Sequence, residues 1–273
     1  MGAAVLLGLQ PVNAWVGQYC IFVRDLDEST KFYEALGLSN TSRTDLGEIK
    51  EAIVENPAKG GKLQLAQRID QDGPLDMGNA FWKLYVATND IEKMFADATA
   101  AGGEVVTEPV RLEQWPMSIA FVKEPSGYLV ELTQRHPWAD GDADTHAWLN
   151  QYCIYVSDLE RAIAFYELLG LACTSRTDIP AHKEAIVENT TRGGKIQLAQ
   201  QLDSDAPIAM GDAMWKLYVN TDDCAALHRA AVDAGYTSVL EPMQPERWPV
   251  TISFLADPDG YQVELVERHA DPA

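Results

Sequence analysis

The chain has 273 residues, with 21 Lys and Arg against 41 Asp and Glu and a formal net charge of −20 at pH 7. So acidic a surface repels phosphate backbones and anionic lipid, which argues against nucleic-acid and membrane-surface partners. With 47% hydrophobic and 23% charged residues the composition is that of a folded soluble protein, and the length suits two domains of ordinary size.

Residues 1–13 read as a short N-terminal arm. Their apolar run, Ala3 to Leu9, is too short to span a bilayer and has no basic residue before it, so the sequence points to a cytosolic protein. Residues 15–23 alternate like a strand. Asp25 then opens a helix, with Leu26, Phe32 and Leu36 at helical spacing and Gly37 as its stop. Strand patterns follow over 38–44, 50–55 and 62–67, with Gly60-Gly61 turning the chain before the last. The same order then recurs: a strand over 80–87, a helix capped by Asn89 or Asp90 and ending at Gly102, and strands over 104–107, 117–123 and 128–133.

The second half repeats the first at a constant offset of 133 residues. Gln18-Tyr19-Cys20-Ile21 returns as Gln151-Tyr152-Cys153-Ile154, Thr41 to Asp45 as Thr174 to Asp178, and Trp82 to Val86 as Trp215 to Val219. No gap interrupts the register, so residues 14–136 and 147–269 should share one fold and strand order, related by a pseudo-two-fold axis. Residues 137–146, rich in Asp, Gly and Ala, read as the linker. The predicted class is α+β, with four βαβββ modules in two tandem domains. Cys20, Cys153, Cys173 and Cys224 show no CxxC spacing and read as reduced thiols.

Two motifs carry a family likeness: Asp25-Leu26 with Phe32 to Leu38 (Phe-Tyr-x-x-Leu-Gly-Leu), and Asp257 to Leu265 (Asp-Pro-Asp-Gly-Tyr-x-x-Glu-Leu). The second is degraded to Glu124-Pro125-Ser126-Gly127-Tyr128 in the first half. With them the chain resembles the vicinal oxygen chelate superfamily of glyoxalase I, extradiol dioxygenases and bleomycin-resistance proteins. That resemblance implies glyoxalase-like domains over 14–136 and 147–273, with cupped mixed sheets. It also implies ligand positions at Gln18, Gln64, Phe81 and Glu131, and at Gln151, Gln197, Met214 and Glu264. Phe81 and Met214 stand where glyoxalase I places a His, and no histidine of the chain falls at a ligand position. Two amides and one carboxylate are poor donors for a first-row metal, so no cofactor is expected. A divalent metal, if present, would use Gln18, Gln64 and Glu131, with Gln151, Gln197 and Glu264 in the second half.

Strand parity gives an independent view of the cup. If Phe81 faces inward, so do Lys83 and Tyr85, and by repetition Met214, Lys216 and Tyr218, while Trp82, Leu84 and Val86 pack beneath the helices. A buried carboxylate and ammonium need each other, so Lys83 can pair with Glu131 and Lys216 with Glu264, either as a catalytic pole or as a rim salt bridge. Arg43 and Arg176 could hold a substrate carboxylate, or pair with a nearby acid. Trp115 and Trp248, each before a Pro, could wall a planar ligand or pack in the core.

The sequence thus predicts a protein acting on a small organic molecule, either as a monomer with two like halves or as a homodimer. Its first reading is a lyase or isomerase that abstracts a proton next to a carbonyl, with Glu131 and Glu264 as bases and Lys83 and Lys216 as stabilisers. The alternative is a metal-free protein that sequesters a hydrophobic or aromatic metabolite or antibiotic.

Overall fold

The computed structural model describes residues 13–71, 73–137 and 147–269. The N-terminal arm, most of the linker and the last four residues lie outside the described residues. Within them the repeat is exact in element order. The first half runs β1 (Ala14–Phe22), α1 (Leu26–Ala35), β2 (Ser39–Asp45), β3 (Ile49–Asn56), β4 (Lys59–Arg68), β5 (Phe81–Thr88), α2 (Ile91–Ala100), β6 (Glu104–Arg111), β7 (Met117–Lys123) and β8 (Leu129–Arg135). The second runs β9 (Ala147–Tyr155), α3 (Leu159–Leu168), β10 (Ala172–Asp178), β11 (His182–Glu188), β12 (Lys195–Gln201), β13 (Met214–Thr221), α4 (Cys224–Asp233), β14 (Thr237–Met243), β15 (Val250–Ala256) and β16 (Gln262–Arg268).

Each helix starts at an Asp whose carboxylate accepts from the backbone N–H three residues on: Asp25 from Glu28, Asp90 from Lys93, Asp158 from Arg161 and Asp223 from Ala226. That bond satisfies one orphan donor and places a negative charge on the positive end of the helix dipole. Of the two caps the sequence allowed for α2, Asp90 is the one used. At the far end of α1, Gly37 takes φ +92°, which L side chains avoid, and Leu38 N–H reaches back to the Tyr33 carbonyl.

The chain divides into two compact units that do not coincide with the repeats. Among the described residues the N-terminal unit holds 20–71, 73–137, 147–153 and 210–214; the C-terminal unit holds 13–19, 154–209 and 215–269. In the N-terminal unit the strands lie in the order β6-β7-β8-β5-β9-β4-β3-β2. The C-terminal unit has the equivalent order, β14-β15-β16-β13-β1 followed by β12-β11-β10, with Val16 bridging Gly194 just ahead of β12. The front of each repeat's first strand therefore belongs to the unit built on the other repeat.

The docking of these exchanged strands explains a glycine pair. Gly60 and Gly193 take φ +86° and +84°, and a Cβ built on them would lie 2.4 Å from the Leu149 carbonyl oxygen and 2.5 Å from that of Val16. Only glycine adopts that backbone cheaply and lets the strands approach so closely. Asn56 and Asn189 complete the seam, donating to the carbonyls of Ala147 and Ala14 at 2.8 and 2.9 Å.

A candidate catalytic pole on the parallel strand pairs

In each half a parallel strand pair joins the first and last strands of the second module, β5 with β8 and β13 with β16. Their registers set Tyr85 beside Glu131 and Tyr218 beside Glu264. Two residues back along the same face, Lys83 Nζ lies 2.8 Å from Glu131 Oε2, and Lys216 Nζ lies 2.8 Å from Glu264 Oε2. All four are buried, with exposures of 7% and 5% in the first pair and 8% and 5% in the second. The approach is that of an ion pair and falls short of hydrogen-bond geometry, which leaves both Oε2 atoms with lone pairs unused by any hydrogen bond.

Aromatic rings enclose each ammonium. Lys83 Nζ is 3.9, 4.8 and 5.6 Å from the ring centres of Trp82, Tyr85 and Phe121, and Lys216 Nζ is 4.3, 4.7 and 5.4 Å from those of Trp215, Tyr218 and Phe254. Three rings and a carboxylate each attract the ammonium. Trp82, assigned to the helix side by parity, meets the ammonium instead. Burial raises the Glu131 pKa above its ordinary value, while the Lys83 charge and the Tyr85 hydroxyl act in the opposite direction.

The glutamines divide between the units. Gln151 on β9, the strand next to β5, shares the N-terminal unit with Lys83 and Glu131. Gln18 on β1, next to β13, shares the C-terminal unit with Lys216 and Glu264. Gln18 and Gln64 stand on β1 and β4, which are neighbouring strands, while Gln18 and Glu131 fall in different units. Gln197 is buried on β12 and donates through Nε2 to Glu184 Oε2 at 2.8 Å. Glu184 was missed in the sequence; it shows only as an acid two residues from Ile186, which pairs with Gln197 across β11 and β12.

Other candidates sit elsewhere. The Phe81 ring packs against Tyr128 and Tyr152, with centroids 5.0 and 5.2 Å apart, and the Tyr152 hydroxyl points at Met214 Sδ at 2.6 Å. Phe81 and Met214 thus belong to an aromatic cluster rather than to a pole. Arg43 is cross-strand from Ala52, and Arg176 from Ala185; both alanines are buried under the helices. The two arginines share that outer face and pair with Asp27 (2.6 Å) and Glu160 in the first turns of α1 and α3, which is the acid-pairing alternative of the two the sequence left open. Trp115 and Trp248 are 44% and 47% exposed in loops, neither core nor a closed wall.

The sequence signature of the Glyoxalase/Bleomycin resistance protein/Dioxygenase superfamily matches residues 15–132 and again 148–265. The chain belongs to this family. Among its relatives, lactoylglutathione lyase GLX1 of Arabidopsis thaliana is 28% identical over 267 residues, covering 90% of this chain and 89% of that one. Lactoylglutathione lyase of Oryza sativa is 26% identical, covering 90% and 87%. Glyoxalase I of Zea mays superposes with a TM-score of 0.82 at 25% identity, over 94% of this chain and 93% of that one.

Proposed function

We propose that the protein is a glyoxalase-type lyase that moves a proton at the carbon beside a carbonyl of a small organic substrate. The observation that carries this is the pair of buried Lys–Glu contacts, 2.8 Å in both halves. The relatives named lactoylglutathione lyase favour it over the sequestering alternative.

Each residue has one task. The substrate carbonyl oxygen lies against the lysine ammonium, which stabilises the negative charge that develops as an enolate forms. A fixed donor aimed at such an oxygen contributes about 10²–10³ in rate. The glutamate takes the proton from the adjacent carbon and returns it. Burial makes Glu131 a better base than an exposed carboxylate, and general-base catalysis supplies about 10²–10⁴. Tyr85 and Tyr218, in register with the glutamates, orient the carboxylates.

Kinship with glyoxalase I makes a divalent metal plausible, but the donors do not fit one while the lysine is in place. Among the described residues no three His, Cys, Asp or Glu side chains cluster for an ion. The free lone pairs of Glu131 Oε2 face an ammonium 2.8 Å away, and a second cation there would meet full repulsion.

The experiment is exchange of the α-hydrogen of lactoylglutathione with D2O, followed by NMR. Wild type exchanges it; Glu131→Gln combined with Glu264→Gln slows exchange at least 100-fold and retains binding. A wild type that binds the thioester without exchange would leave the sequestering reading.

A further inference from the structure

Gln64, Ala66 and Arg68 lie on one face of β4, and on β12 the equivalent face carries Gln197, Ala199 and Gln201. This is the face opposite the helices, since the alternate face carries Gln67 and Gln200, whose Oε1 atoms accept from the Leu26 and Leu159 N–H groups at the starts of α1 and α3. The two halves match along this face until its end. There the first half has a guanidinium and the second a neutral amide.

Arg68 is placed for recognition rather than for surface charge. Its guanidinium lies flat on Phe22, 3.5 Å from the ring centre. Nη1 donates to Gln71 Oε1 at 2.7 Å and more weakly to the Asp212 carbonyl at 3.4 Å. Gln71 in turn donates to the Asp212 carboxylate through its own Nε2, at 3.2 Å, so it bridges the guanidinium and that acid. Arg24, Arg43, Arg161 and Arg176 each pair with a carboxylate, whereas Arg68 pairs with none among the described residues. Stacking fixes the plane of the fork and one edge is held, leaving Nη2 for an incoming anion. In the second half, Gln201 sits cross-strand from His182, whose ring stacks on Tyr155, the counterpart of Phe22. Where the first half opposes Arg68 with Ile49, the second opposes an amide with an imidazole.

We propose that Arg68 is a specificity-determining residue that binds the carboxylate of a carbonyl substrate, and that the matching face at Gln201 accepts an uncharged one. One chain would then hold two sites of the same chemistry with different substrate charge. The inference rests on the lyase reading for the carbonyl, but its test is a binding ratio and stands apart from turnover.

The probes are phenylpyruvate and phenylpyruvamide, which differ only in carboxylate against amide, titrated by calorimetry at low salt. Wild type should bind phenylpyruvate at one site per chain, Arg68→Gln should weaken it at least tenfold while changing phenylpyruvamide less than twofold, and Gln201→Arg should create a second phenylpyruvate site. Unaltered melting temperatures check that the variants fold. Absence of saturable phenylpyruvate binding in wild type, two equal sites there, or equal loss of both probes in Arg68→Gln would overturn the proposal. If instead the α-hydrogen exchange of lactoylglutathione fails while these ratios hold, the lyase reading falls and the charge recognition stands.

Discussion

Replacing Lys83 with Met keeps the length of the side chain and removes the charge that faces Glu131. With the ammonium 2.8 Å away gone, a carboxylate only 5% exposed is left without its counter-ion. Breaking a buried pair this way costs about 3–5 kcal/mol if the survivor stays ionised. Glu131 has another route, which is to take up a proton. Starting from its ordinary value of 4.5, protonation at pH 7 costs about 3.4 kcal/mol, so the loss is capped near that figure. At pH 5 the same route costs only about 0.7 kcal/mol. The sign follows from a folded-state pKa raised above the unfolded one: the uncharged form stabilises the fold at low pH, and that contribution disappears as pH rises. Urea unfolding of wild type and variant at pH 5 and pH 7 should therefore show a deficit of about 3 kcal/mol at pH 7 that shrinks to about 1 kcal/mol at pH 5. A deficit equal at both pH values would mean that packing, not the charge pair, is what the lysine contributes. A deficit below about 0.5 kcal/mol at pH 7 would mean that the two charges do not depend on one another.

Three further outcomes follow from other residues. Lys83→His with Lys216→His exchanges an ammonium for a neutral donor beside each free Oε2, and should create a cobalt(II) site visible by absorbance; stoichiometric zinc or nickel on the unaltered protein would refute the donor argument. Burial pushes Glu124 and Asp257 up to about 7, against hydrogen bonds from Tyr128 and Ser126 in the first half and from Tyr261 and Asp259 in the second. Both fold best protonated, so wild type should lose stability as pH rises from about 4.5 through 7, and Glu124→Gln with Asp257→Asn should flatten that slope in urea midpoints. Gly60→Ala forces a Cβ within 2.4 Å of the Leu149 carbonyl oxygen at φ +86°, and in urea unfolding should cost more than the ~0.5 kcal/mol within which surface changes usually fall.

Elements and register were legible because they rest on local chemistry. Four aspartates cap four helices, period-two alternation marks the strands, and a constant offset carries one half onto the other. The Lys–Glu pairs were legible for the same reason, since parity puts Lys83 on the face of Phe81 and Tyr85, and a carboxylate on the neighbouring strand is its natural partner. What escaped is what depends on which strand lies beside which. No local pattern says that the front of β1 belongs with β13, or that of β9 with β5, and so the glutamines were grouped with the glutamate of their own repeat. For Arg43 and Arg176 the acid-pairing alternative was legible in the sequence, while the partners, Asp27 and Glu160, are fixed by how β2 and β10 lie against α1 and α3.

The exchanged strands also bear on why two such similar halves persist in one chain. Each Lys–Glu pair is made within one module, by β5 with β8 or by β13 with β16, and needs nothing from the other repeat. The first-strand glutamine next to each pair comes from the other repeat, so neither repeat alone supplies the complete polar set of one unit. A substitution on β1 is thus felt in the C-terminal unit and one on β9 in the N-terminal unit. Gln18→Ala should alter ligand binding beside Lys216 and Glu264, and Gln151→Ala beside Lys83 and Glu131. Chemical-shift changes of the two lysine ammonium groups, each assigned by its methionine variant, would read this directly: if Gln18→Ala moved the Lys83 signal and left that of Lys216 in place, the strand exchange would not govern the site.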